Sequence, residues 1–385
     1  MKKTTCIASL MVCLSMGQAG ALAQNIRIDM NKTYPEKTIS LQKVADVKYI
    51  PLETTDEALF NGVVTHLSAE GIAGFNKKEG DILVFDGTGK AIASFNHTGQ
   101  GPNEYNKIYH LDVDWKQKEV YVQDNFRQKI RIYALDGSHL RTIDLQETMQ
   151  QGDLYNFSDT HLIYYAQPKS KPVTPYEPVT LLTKKEASKV TLPFTKTDDN
   201  LVKATGGPFG DMKMSAKNVN LLYKKGNEVY VNEVTADVIY RVESNHALTP
   251  VVERTPSYKD ASGQDFFLML TGANARYYFF KRQQALLEFQ GNAATDTKST
   301  YVAYDRKEKQ LLNPTFTNED YPSQDIPMSK LLQCAGSANR CYLQLEAFKL
   351  KEALAEGKLK GTLKSIAEKL DEEDNPVLMV VEFKK

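Results

Sequence analysis

The residues whose types could do chemistry gather most densely in one loop, His97-Thr98-Gly99-Gln100-Gly101-Pro102-Asn103-Glu104-Tyr105. Glu104 offers a carboxylate acceptor, Tyr105 an aromatic platform and His97 an imidazole, so one reading is a ligand-binding loop. The other is structural: Gly99, Gly101 and Pro102 would let the chain cross between sheets, with Glu104 tying down backbone N–H groups. We favour the structural reading. The loop is not a phosphate cradle, because it lacks the Lys-Ser/Thr pair and a following helix.

The remaining candidates are weaker. The histidines, His66, His97, His110, His139, His161 and His246, show no HxH or HExxH spacing. Sequence therefore assigns no metal and no cofactor, although a cage assembled from distant segments would leave no such trace. Asp112-Val113-Asp114 lacks the other ligands of a calcium loop and reads as a strand end. There is no GxSxG motif and no identifiable Ser/His/Asp set, so no catalytic residue is named. Asp198-Asp199 and Glu372-Glu373 read as solvated loop charges. Tyr277 to Phe280 could stack on a sugar, but alternation along a strand puts two on each face, and core packing is the better reading. Cys334 and Cys341 enclose a short loop. In an oxidising compartment they could bridge; the alternative is two thiols, and spacing does not decide.

These residues must be positioned by a repeated β unit. Phe85-Asp86-Gly87-Thr88-Gly89-Lys90 returns as Leu135-Asp136-Gly137-Ser138-His139-Leu140. Each hexapeptide sits at a turn between short apolar strands. A period of about fifty residues built from strands and hairpins indicates propeller blades. Comparable strands begin near 83, 131, 180, 238, 301 and 378, which makes six copies. The predicted fold is all-β, a six-bladed propeller spanning 24–385, with a helical insertion at about 328–370. Within it, Gln344–Glu356 and Leu359–Leu370 read as helices. Blade five is read to include Ala285–Gln290, and a proline-rich loop, Gln167–Pro178, to interrupt blade three. A ring must join its ends or expose open edges. The N-terminal strand near Ile26–Met30 is expected to supply the outer strand beside Val377–Phe383.

Residues 1–23 read as a signal peptide, with Lys2 and Lys3, a short apolar core from Ile7 to Met16, and Ala21-Leu22-Ala23 before the cleavage point. The mature chain then carries 46 basic and 48 acidic side chains, a net of −2. That balance argues against a nucleic-acid partner, and no later run is apolar enough to span a bilayer. The expected location is the periplasm, the cell surface or the extracellular space, and the expected state a monomer.

The sequence resembles NHL-type propeller repeats. More closely, it resembles the exported six-bladed propellers of Bacteroides-type bacteria. The resemblance rests on Gly99, Gly101, Pro102, Glu104 and Tyr105, on Asn375, Pro376, Val377 and Leu378, and on the entry strand Val47 to Thr54. It implies a fold and an exported location more than an activity. The function expected is a non-enzymatic scaffold that binds a protein partner or a glycan or peptide ligand on one face of the ring. The alternative is a metal-dependent hydrolase, lactonase or lyase at the axial channel. A channel mouth lined by three or more Asp, Glu, His or Asn side chains would favour the enzyme, and an apolar plug the scaffold.

Overall fold

The computed structural model describes residues 26–385, apart from 125–127, 146–148, 151–152, 169–175, 186–187, 197–200, 206–209, 216–220, 261–265, 291–292, 295–297, 334–336 and 338. The expected signal peptide, and Cys334 with any bridge to Cys341, lie outside the described residues. Cys341 itself is buried.

Six antiparallel sheets follow one another around a ring. Blade one holds Val63–Leu67, Gly71–Phe75, Ile82–Asp86 and Ala91–Phe95. Blade two holds Ile108–Asp114, Glu119–Asp124, Lys129–Ala134 and His139–Asp144. Blade three runs from Leu154 to Thr191 and blade four from Leu222 to Thr255. Blade five takes Phe266–Ala273, Tyr277–Gln284, Ser299–Asp305 and Gln310–Asn318. Blade six takes Leu332–Gln333, Arg340–Leu345 and Val377–Phe383 from the end of the chain. The third strand of every blade starts within a few residues of its expected position.

Alternation explains how the blades cohere. Both faces of each blade are covered by neighbours, so strands such as Ile82–Asp86 and Val377–Phe383 are apolar nearly throughout. Successive residues feed opposite interfaces: Tyr277 and Phe279 pack toward blade six, Tyr278 and Phe280 toward blade four. Each of the six blade–blade contacts holds its own apolar cluster among the described residues. Leu67, Ile72 and Phe85 of blade one meet Tyr342, Leu378 and Val380 of blade six, which closes the ring. The two matching turns are held alike. The Asp86 carboxylate accepts from the N–H and the hydroxyl of Thr88, and Asp136 does the same for Ser138. Gly89 (φ +93°) and Gly137 (φ +88°) take the left-handed backbone.

Closure differs from expectation. The strand beside Val377–Phe383 is not Ile26–Met30 but Ala45–Pro51. The N-terminal segment instead straps three blades in turn. Strand β1 (Ile26–Asp29) adds in parallel to the outer edge of blade four, and β2 (Glu36–Ser40) adds in parallel to blade five. Helix α1 (Leu41–Val44) then leads into β3 (Ala45–Pro51), the outer strand of blade six. Alternating Ile26, Ile28 and Met30 are buried in the cluster between blades four and five, which fixes the first contact. Two further corrections follow from tertiary pairing. Leu286–Gln290 leaves blade five and pairs with Leu201–Thr205 in a separate small sheet, and Phe266–Ala273 is blade five's first strand. The helical insertion is shorter than 328–370: α2 (Ala347–Ala355) and α3 (Gly361–Ala367) join the second and third strands of blade six. Residues 340–345, read in part as helix, are strand because they pair with Val377–Glu382.

Candidate ligand site at the mouth of the ring

The first strands of blades one to four end at one mouth of the ring, each followed by a tight turn. At or near those ends stand His66 in blade one, Asp112 and Asp114 in blade two, Asn156 in blade three and Lys224 in blade four. Asp112 is fully buried and gathers all four blades. His66 Nδ1 lies 3.1 Å from one carboxylate oxygen. The Lys224 ammonium donates to the other at 2.9 Å, and the backbone N–H of Asn156 donates to it at 2.8 Å. A register shift in the first strand of blade one, between Val64 and His66, turns the imidazole toward Asp112.

The electrostatics of the cluster follow from its burial. Desolvation alone would raise the Asp112 carboxyl, but the Lys224 ammonium and the His66 hydrogen bond outweigh it and hold it well below the usual carboxylate range. The Asp114 carboxylate likewise accepts from Lys184 of blade three at 2.6 Å, and that contact, with the Gln117 N–H, overcomes burial and lowers it. His110, further back on the same strand, is pushed down to about 4 by burial. Burial raises Asp153, at the start of blade three, to about 6, against the N–H groups of Leu221 and Leu222 that it accepts.

In front of this cluster lies a cavity of about 790 Å³. Its walls are the first-to-second-strand turns of blades one to four: Ser68 and Glu70, Trp115 and Lys116, Phe157 to Thr160, and Gly226 with Asn227. His66, Asp114, Asn156, Lys224, His161 and His246 complete them. Trp115 is the only tryptophan in the chain. Its ring lies over Gly71 of blade one, where a Cβ would fall 2.2 Å from Cη2, and tilts against the His66 ring at 6.2 Å. Three buried polar atoms in these walls, His66 Nε2, Trp115 Nε1 and Asn156 Oδ1, have no hydrogen-bond partner among the described residues. Native structures rarely leave such atoms unsatisfied. Asp, Glu, His and Asn residues line the mouth in the number that would favour an enzyme. Asp114 and Asp159, however, are each paired with a lysine. Among the described residues no three His, Cys, Asp or Glu side chains are placed to share a metal ion.

The residues singled out in the glycine-rich loop lie elsewhere. Tyr105 is fully buried, donates from its hydroxyl to Gly80 O at 2.7 Å and accepts from the His97 N–H at 3.0 Å. Burial raises its hydroxyl to about 12. Glu104 accepts from the Gly101 N–H at 2.7 Å, and a Cβ on Gly99 would sit 2.0 Å from that carboxylate. His97 Nε2 lies 2.8 Å from Gly137 O, with its ring stacked on Tyr133 at 5.1 Å. The three residues are brought together in the crossing from blade one to blade two, and none lines the cavity. The cavity residues escaped the sequence because they are separated by about forty to seventy residues. The signal that could have found them is the polar residue ending each first strand, seen only when the repeats are aligned.

Comparison with known proteins places the architecture. No curated protein matches the chain in sequence. Among solved structures, the "Putative exported protein" of Bacteroides fragilis NCTC 9343 superposes with a TM-score of 0.63 at 16% identity, covering 94% of this chain and 99% of its own. A member of the duf4221 family from Bacteroides vulgatus superposes at 0.51 with 10% identity, covering 89% and 98%. Both likenesses concern the propeller fold. Residues 25–382 match the family described as Domain of unknown function (DUF4934), and the chain belongs to that family.

Proposed function

We propose that this protein is an exported propeller that captures a small polar ligand in the cavity between the turns of blades one to four. The signal-like residues 1–23 and the likeness to an exported Bacteroides protein support export. The observation that carries the binding reading is the set of three unsatisfied polar atoms in the wall of one cavity. A ring of rigid blades holds such atoms in place without a ligand, which lowers the ordering cost of binding. The test is a thermal-shift and calorimetric screen of the mature chain against sugars, amino acids, organic acids and short peptides. Asn227→Trp, at the cavity mouth, serves as a blocked control. A ligand that binds the wild type and not the blocked variant supports the reading; one that binds both equally lies outside the cavity.

One observation favours a second reading. The His66 imidazole meets the Asp112 carboxylate through Nδ1 at 3.1 Å, the pairing used by general bases. On that reading the bound ligand is turned over, and His66→Gln abolishes turnover while ligand still binds.

A further inference from the structure

We infer that the ligand of this cavity is a neutral, hydroxyl-rich molecule of the carbohydrate class; this rests on the binding reading above. The argument is a count of hydrogen-bond valences. Asp112, held ionised, can only accept, so His66 meets it as a donor through Nδ1. The Asn156 side chain donates to Asp114, which leaves Oδ1 as an acceptor. Trp115 Nε1–H can only donate. The occupant must therefore both donate and accept at short range. A carboxylate or phosphate cannot donate, and an ammonium cannot accept. A hydroxyl does both, and several hydroxyls on one rigid frame serve all three atoms.

Charge points the same way. The cations of the wall are neutralised in place, Lys224 by Asp112 and Lys116 by Asp159. Asp114 is neutralised by Lys184. Glu70 is exposed, and its carboxyl is lowered by its own backbone N–H and by Ser68. Among the described residues of the wall, no lysine is left unpaired. A cavity of about 790 Å³ lies within the size range of ordinary ligand pockets and has Trp115 and Phe157 in its walls to pack against sugar C–H faces.

The test uses the mature chain and three sets of probes: neutral mono- and disaccharides with N-acetyl sugars, uronic acids, and amino sugars. Single-tryptophan fluorescence and calorimetry report binding. The expected result is binding confined to neutral saccharides, and a deoxy analogue lacking the contacted hydroxyl should bind at least tenfold more weakly. Trp115→Phe removes one donor and should weaken the sugar about five- to tenfold by calorimetry. If that variant fails to fold, the deoxy series alone decides. Binding of uronic acids or amino sugars in preference to neutral ones overturns the assignment and leaves the cavity reading standing. A saccharide that binds Asn227→Trp as well as the wild type overturns the cavity reading. Absence of any saccharide binding, with hits among other classes in the broader screen, overturns the carbohydrate assignment alone.

Discussion

Replacing Asp112 with asparagine isolates the electrostatic centre of the ring. The change keeps the side chain's shape but removes its charge. The Lys224 ammonium, 5% exposed, is then stranded without a counter-ion. Breaking a buried pair in this way costs about 3–5 kcal/mol. A chain of about 360 residues unfolds with an entropy near 0.75 kcal/mol per K, so the melting temperature should fall by about 4–7 °C. Adding Lys224→Met to Asp112→Asn should recover part of the loss, since the uncompensated charge is gone. Calorimetric melts of the two single variants and the double variant measure both effects. A loss under 1 °C for Asp112→Asn, or no recovery in the double variant, would refute the claim that these blades are locked through one carboxylate.

Other consequences are equally open to measurement. Deleting residues 24–31 exposes the edge of blade four and loses buried Ile28 and Met30, so the melting temperature should drop by several degrees while the circular dichroism of the ring persists. Deleting through Pro51 removes the outer strand of blade six, and soluble folded protein should no longer be recovered. Gly71→Ala drives a methyl group into Trp115, and the emission of that lone tryptophan should move to longer wavelength as the ring leaves its packing. His110, lowered to about 4, is protonated in the unfolded chain before the folded one. Its burial therefore costs stability as pH falls from about 6.5 to 4. Asp153, raised to about 6, contributes the opposite slope between about 4 and 6. Denaturant titrations of His110→Gln should show a smaller acid loss than the wild type across that window.

The fold was legible because its information is local. The apolar run Ile82–Phe85 and the Asp-Gly turns can each be read within ten residues of chain, and their recurrence marks the blades. What could not be read locally was missed. Leu286–Gln290 has a strand's composition wherever it pairs, and only tertiary contact sends it to Leu201–Thr205. Gln344 and Leu345 lost their helical reading to the partner strand, where they pair with Leu378 and Val377. Ile26–Met30 was identified as a strand yet assigned to the wrong edge, since parallel addition to blade four depends on burying Ile26 and Ile28 between blades. The cavity was hidden for a related reason. His66, Asp112, Asn156 and Lys224 have no meaningful spacing in sequence and acquire one only when four strand ends meet. The most conspicuous motif, GQGPNEY, is conspicuous because close approach demands it: Gly99 and Glu104 leave no room for a Cβ.

The path of the first twenty-six described residues has a consequence for how the molecule is made. Ala45–Pro51 is synthesised long before the strand it zips onto, Val377–Phe383. Ile26–Asp29 likewise waits for Val252–Thr255. Contacts of such long sequence separation form slowly. Until those partners are made, the strap has no edge to join, so the circle clasps shut only late in synthesis.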